Sequence, residues 1–222
     1  MLEIPITISS EIKNILKKCR LGIVMADVVV EKSSHTLQNA IKNQTAQIRN
    51  NYSIDEVSSL PLIEETKNAY RALGKDPTRY RPSAEALTRR IILGKGLYEV
   101  NNVVDLLNLV SIRTGFSIGG YDTDQINGSV VLTTGKENDP YEAIGRGMLN
   151  IHLLPVLKDE NGVFGSPTSD SARTMVRETT RNFLMVLFDF QSNNHLEKAL
   201  HLSDEYLQTF ASAGKIHTGI VE

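Results

Sequence analysis

The sequence predicts an α+β fold, a curved or barrel-like β-sheet core with helices packed on one side. Three observations point there. Two apolar runs, residues 21–30 interrupted by Asp27 and residues 183–190 interrupted by Asp189, are far too short to cross a membrane and read as buried strands. Between residues 61 and 115 the apolar spacing is helical, and each segment carries a start or stop signal. From Ser117 onward the period shifts towards strands, with turn dipeptides between the runs.

Taken in order, residues 2–8 alternate and read as a strand. Ser9 or Ser10 can cap a helix reaching about residue 19, with Glu11 in its first turn. Residues 22–30 form a Val- and Ile-rich strand, and residues 34–50 a helix. The next helix, 62–73, stops at Gly74. Residues 74–82 hold Gly74, Pro77 and Pro82 and read as a loop. Ser83 caps a helix over 84–93, closed by Gly94 and Gly96. Asn101 or Asn102 precedes another over 103–114, closed by Gly115. Strands are expected over 118–121, 129–134, 150–157 and 181–190. Turns are expected at Asn127-Gly128, Asn161-Gly162 and Ser192-Asn193-Asn194, and a last helix over 195–212. No internal repeat or long linker divides the chain. The expectation is one domain, 1–222, with an N-terminal α/β portion (1–60) and a core (61–222).

Composition narrows the function classes. The chain has 222 residues, 41% apolar and 23% charged, enough for a full core. A net charge of −2 argues against a dedicated DNA-binding domain, so any nucleic-acid contact must be a local patch. The first residues lack a signal-peptide pattern, and the cytoplasm is the expected compartment. Cys19 is the single cysteine. It excludes an internal disulfide and reads as a packing residue beside Lys17, Lys18 and Arg20, whose charges would lower its pKa.

Several chemistries are not supported. Gly115-Phe116-Ser117-Ile118-Gly119 matches a nucleophile elbow in letters only, because a helix precedes and a strand follows, the reverse of what that elbow needs. His35, His152, His195, His201 and His217 have no metal-ligand spacing, so no metal is expected. Gly135-Lys136 and Gly214-Lys215 lack the Ser or Thr of a phosphate loop, and Gly145-Arg146-Gly147 lacks a third glycine. No cofactor is expected.

Two segments carry positive signals. Residues 71–95 hold seven cations, Arg71, Lys75, Arg79, Arg81, Arg89, Arg90 and Lys95, against Asp76 and Glu85. Arg79, Tyr80 and Arg81 interleave cation and aromatic ring, a pattern suited to phosphate contact and base stacking; a solvated helix face is the plain alternative. Residues 165–174 concentrate Thr168, Ser169, Asp170, Ser171 and Arg173, groups able to hold a polar ligand or simply to cap a turn.

The stretch Asn101-Asn102-Val103-Val104-Asp105-Leu106-Leu107-Asn108, running on to Gly115 and to Gly119-Gly120-Tyr121-Asp122, is the most specific. It resembles the run Asn-Asn-Val-Val-Asp-x-x-Asn-Tyr-Val, then Gly-Gln-Pro-x-His-Ala-Phe-Asp, of the B-three/four editing region of the phenylalanyl-tRNA synthetase β-subunit. Gly162-Val163-Phe164-Gly165 is similar to that region's Gly-Val-Met-Gly. The resemblance covers about residues 80–170, and free-standing relatives carry similar Asp-Pro-Thr-Arg-Tyr-Arg-Pro-Ser and Asp-Ser-x-Arg-Thr stretches. It implies a β-rich domain with packed helices that hydrolyses tyrosine wrongly esterified to phenylalanine tRNA. Asn108 falls on a retained pocket asparagine. Gly119 stands where that region has a pocket histidine, and Thr168 near the glutamate that reads the tyrosine hydroxyl.

The expected function is a free-standing aminoacyl-tRNA editing hydrolase of altered specificity or weak activity. The alternative is a non-catalytic module binding tRNA, an amino acid or a protein. Asn108 and Asp170 are the expected catalytic groups, as hydrogen-bond donor and general base, with backbone N–H groups near Gly119 and Gly120 as further donors. Asn101, Asn102, Asp105, Gly119, Gly120, Tyr121, Thr168, Ser169, Ser171 and Arg173 are the expected substrate pocket. Arg79, Tyr80, Arg81, Arg89 and Arg90 are the expected RNA contacts. The expected partner is tRNA or aminoacyl-tRNA, with neither DNA nor membrane.

Overall fold

A computed structural model describes residues 4–192 and 194–222. Three layers stack on one another. The central one is an open antiparallel sheet in the order β10 (Gly214–Val221), β2 (Arg20–Asp27), β9 (Asn182–Asp189), β3 (Ser117–Asp122). The second sheet runs β1 (Ile6–Ile8), β4 (Val130–Thr134), β7 (Pro155–Asp159), β8 (Gly162–Gly165), with only the β1–β4 pair parallel. The third layer is helical, chiefly α5 (Asn102–Thr114) and α6 (Leu196–Ala211), with α2 (His35–Asn51) behind them.

The apolar run of β9 is continuous because both faces of its sheet are covered. Alternate residues point to opposite faces. Phe183, Met185 and Leu187 join Val24 and Ala26 against α5 and α6. Leu184, Val186 and Phe188 join Leu21 and Ile23 against Val130, Leu132, Leu157 and Phe164 of the second sheet. At Gly22 a Cβ would lie 2.7 Å from Leu196 Cδ1, so α6 approaches the sheet backbone closely.

The expected α+β class is the one observed, but the barrel-like form is not. Both sheets stay open, ending at β10 and β3 in one and at β1 and β8 in the other. The two sheets also draw on both portions of the chain. The first 60 residues supply β1, which pairs with β4, and β2, which lies between β10 and β9, so the N-terminal α/β portion and the later core share both sheets.

Most expected helices fall within a few residues of α1 (Ser10–Ile15), α2, α3 (Pro61–Ala72), α4 (Ser83–Ile92), α5 and α6. Ser9, Ser34 and Asn101 accept capping bonds from Ile12, Leu37 and Val104 N–H. Ser83 is already inside α4, which follows Pro82 without a side-chain cap. Gly115 closes α5 at φ 88°, a left-handed position that favours glycine. Helix α1 ends at Ile15 rather than near Cys19. Residues 150–157 become β7 only from Pro155, and the strands β8, β10 and the short hairpin β5 (Glu142–Ala143) with β6 (Gly147–Met148) were not anticipated. Leu2, Glu3 and Asn193 of the expected first strand and last turn lie outside the described residues. Cys19 is buried, and that burial pushes its thiol up to about 12, with Asp189 acting in the same direction; Lys13 opposes them only in part.

Candidate functional site

A cavity of about 580 Å³ opens where α4, α5, β3, the 166–176 segment and the tip of the β5–β6 hairpin converge. Its walls are apolar, with Leu87, Leu107, Ile118, Val176 and Phe183 among them. Its polar lining includes Asn108 from α5 and Thr168, Ser169 and Asp170 from the opposite loop. The two segments expected to frame a pocket therefore face each other across one space.

Asp170 is the centre of the polar arrangement. Oδ1 accepts from the Tyr121 hydroxyl at 2.7 Å, and Oδ2 accepts from the Gly120 N–H at 3.2 Å. Its backbone is pinned as well. Ile144 N–H donates to the Asp170 carbonyl at 3.0 Å, and Ser171 N–H donates to the Phe164 carbonyl at 2.9 Å. The Ser166 hydroxyl organises the preceding turn, receiving Thr168 and Ser169 N–H and donating to the Ser169 carbonyl. Burial among Tyr121, Tyr141 and the cavity walls raises the Asp170 carboxyl to about 7, against the opposing pull of the Tyr121 hydroxyl and the Gly120 N–H. A carboxyl that titrates near neutrality can take or give a proton at working pH.

Two glycines make this possible. A Cβ on Gly119 would lie 1.8 Å from the Tyr121 hydroxyl oxygen and 2.8 Å from Asp170 Oδ1. A Cβ on Gly165 would lie 2.3 Å from the same hydroxyl. The space beside Gly119 is thus filled by a tyrosine already present in the chain, and does not widen the pocket. Gly120 is equally committed: its Cβ would meet Leu107 Cδ1 at 2.5 Å, and its N–H is held by Asp170, so it is not a spare oxyanion donor. Gly119→Ala is expected to lower stability by about 1–3 kcal/mol through overpacking, with part of the loss recovered in the Gly119→Ala/Tyr121→Phe double variant. Equilibrium unfolding measures both; a neutral Gly119→Ala would refute the close fit.

The remaining expected pocket residues divide. Tyr121 lies fully buried beneath the cavity as the Asp170 partner. The Thr168 hydroxyl shares a 2.8 Å hydrogen bond with buried Tyr70, whose own ionisation is pushed up by burial. Asn101 caps α5. Asp105 accepts from the Ser33 hydroxyl and the Val100 N–H, its carboxyl raised mainly by burial. Asn102 is a tertiary clasp. Its Nδ2 donates to the Val29 and Phe210 carbonyls, and its Oδ1 accepts from Glu31 N–H, all at 2.9 Å. Ser171 accepts from Arg173 N–H in a 3₁₀ turn, and Arg173 forks onto Asp159 at 2.8 and 3.1 Å. None of Asn101, Asn102, Asp105, Tyr121, Ser171 or Arg173 lines this cavity. Ser117 is completely buried in β3, which disposes of the nucleophile elbow. Asn108 is half-buried and has no hydrogen-bond partner among the described residues, so its amide is available to a ligand.

The basic segment also divides. Arg81, Arg89, Arg90 and Lys95 line the cavity, joined by Arg146 from the hairpin tip. Arg89 is tied to Glu85 at 2.8 Å. Arg79 lies over Tyr80 at the edge of the expected patch. Lys75 is buried, donates to the Asn150 and His152 carbonyls, and stacks 3.7 Å from the Tyr80 ring centre. Tyr80 packs against the cluster containing Tyr70 and Tyr141, so it is not placed as a base-stacking ring. Arg146 was missed because it lies about 50 residues beyond the charge run, and Tyr98 because it falls just outside the run, three residues after Lys95.

The sequence model of the B3/4 domain matches residues 65–212. The phenylalanine–tRNA ligase β-subunit of Tropheryma whipplei is 28% identical over 148 residues, 66% of this chain and 15% of that protein. That of Bartonella henselae is 31% identical over 111 residues, 48% of this chain and 14% of that protein. The chain thus spans only about one-seventh of the length of these relatives. An N-terminal fragment of the phenylalanyl-tRNA synthetase β-subunit from Pyrococcus horikoshii aligns over 99% of this chain and 51% of its own, at 12% identity and a TM-score of 0.48. The family match covers well over half of the chain and takes in the whole cavity, from Arg81 to Phe183: this protein belongs to the B3/4 domain family.

Proposed function

We propose that the chain is a free-standing aminoacyl-tRNA editing hydrolase of the cytoplasm, which clears mischarged tRNA with a selectivity not centred on tyrosine. The observation that carries this reading is Asp170, a carboxyl raised to about 7 in an apolar-walled cavity whose rim is basic. An aminoacyl ester is already reactive, so the site must orient water and stabilise developing charge rather than supply a nucleophile. The Asp170 carboxylate takes a proton from water, whose oxygen attacks the ester carbonyl carbon. The Asn108 amide donates to the oxyanion. As the carbon–oxygen ester bond breaks, Asp170 returns the proton to the departing ribose oxygen, leaving free amino acid and tRNA. Thr168, bonded to Tyr70, is poorly placed to read a substrate hydroxyl, which relaxes selection for tyrosine.

A second reading has its own support. The Gly120 N–H is occupied by Asp170, so fewer oxyanion donors remain than a hydrolase would use, which favours a non-catalytic binder. Incubating the protein with a panel of mischarged tRNAs separates the two. The expected result is ester loss from at least one species. Binding without ester loss across the whole panel would establish the binder instead.

Among the described residues Arg81, Lys95 and Arg146 form no ion pair, which leaves their charge available to phosphate. Replacing all three with Gln is expected to weaken tRNA binding similarly across species and to reduce the salt slope by roughly one per cation removed. Titrations at several salt concentrations measure this, and an unchanged slope would exclude the rim.

A further inference from the structure

The cavity mouth carries an aromatic platform that the catalytic arrangement does not use. Tyr98, in the loop between α4 and α5, is 65% exposed although it lines the cavity. One face of its ring is covered by Arg90, whose guanidinium carbon lies 3.7 Å from the ring centre, and Arg90 also donates to the Tyr98 hydroxyl at 3.1 Å. Arg90 is itself half-buried on α4, so the ring is backed by a fixed planar cation rather than by a wandering side chain. The other large exposed apolar side chains on this rim are Leu93, Val100 and Ile144. Lys95, Arg81 and Arg146 surround the same opening.

This combination needs a ligand that is flat and apolar in one part and anionic in another. A nucleotide supplies both: a base with a π-face and a phosphate beside it. We propose that Tyr98, backed by Arg90, is a nucleobase subsite that stacks the terminal base of an RNA 3′ end, while Lys95, Arg81 and Arg146 hold the adjoining phosphate. This rests on the proposed function, since it orients the terminal ribose ester towards Asp170, and it gives the platform to Tyr98 in place of Tyr80. Recognition is then local. An RNA shorter than tRNA satisfies it.

The test uses the full chain and adenosine 5′-monophosphate as the probe, with ribose 5-phosphate and inorganic phosphate as controls, read by calorimetry or by chemical-shift changes. Adenosine monophosphate should bind tighter than ribose 5-phosphate. Tyr98→Ala should weaken it roughly 5- to 150-fold to the level of the control, and Tyr98→Phe should retain binding. Equal binding of the two ligands, or a Tyr98→Ala variant that binds the nucleotide as wild type, overturns the subsite. Because Tyr98 is exposed, its replacement should leave the fold intact, and a circular dichroism melt checks this. Hydrolysis is measured separately on an aminoacylated tRNA and an aminoacylated short RNA. Tyr98-dependent nucleotide binding with no hydrolysis removes the editing function and keeps the subsite. Hydrolysis with Tyr98-independent binding removes the subsite and keeps the function.

Discussion

Asp170→Asn is expected to lower the rate of aminoacyl-ester hydrolysis by about 10²–10⁴-fold, the usual contribution of a positioned general base. The substitution keeps the side-chain volume and an oxygen able to accept from Tyr121, but it turns an amide NH2 towards the Gly120 N–H, so a thermal melt showing a folded chain is the control that lets the loss report proton transfer. The active form in the wild type is the carboxylate, so kcat/KM should rise with pH through about 7 and level off above it. Stability should move the other way. The folded-state value lies above the model-peptide value of 3.8, so the folded chain holds that proton more tightly. The associated stability is fully present at low pH and is lost as pH rises through the window from about 4 to about 7. Thermal melts at pH 5 and pH 8 should show a larger drop in Tm for wild type than for Asp170→Asn. Full activity in Asp170→Asn would end its assignment as the base.

Asn102→Ala is expected to cost about 3 kcal/mol of folding free energy, because the change strands several partly buried backbone groups at once. The Val29 and Phe210 carbonyls lose their donor, and the Glu31 N–H loses its acceptor. Val29 and Glu31 lie in the segment between β2 and α2, and Phe210 in α6, so one side chain ties two distant parts of the chain to the start of α5. Asn108→Ala is the instructive contrast. Its amide has no partner among the described residues, so stability should change by less than about 0.5 kcal/mol. Hydrolysis should nevertheless fall by roughly 10²–10³-fold if the amide holds the oxyanion. Urea denaturation with an unchanged m-value, paired with the deacylation assay, measures both. An Asn102→Ala variant as stable as wild type would refute the clasp.

These two asparagines show where sequence reading succeeds and where it stops. Apolar periodicity and capping residues act over three or four positions, so the helices, the β9 run, the Gly115 stop and the Asn127 and Asn161 turns were legible from the letters. The α+β class followed from them, and the distinctive Asn101–Asp122 stretch pointed to the family that the match over residues 65–212 establishes. Strand β10 escaped because its half-exposed edge sequence has meaning only when β2 lies beside it, some 190 residues away in the chain. The site was legible only in part. Asp170 and Asn108 stood out by residue type, but the same stretch offered Asn101, Asn102 and Asp105 as equals, and only packing separates an amide buried among carbonyls from one facing a cavity. Gly119 read as a pocket residue because no local rule places the Tyr121 hydroxyl and Asp170 in the space beside it. Tyr98 and Arg146 joined the basic rim through the convergence of a helix end and a hairpin tip. Local sequence determined the elements and their capping residues. Long-range burial decided which polar groups were spent on the fold and which remained to face a ligand.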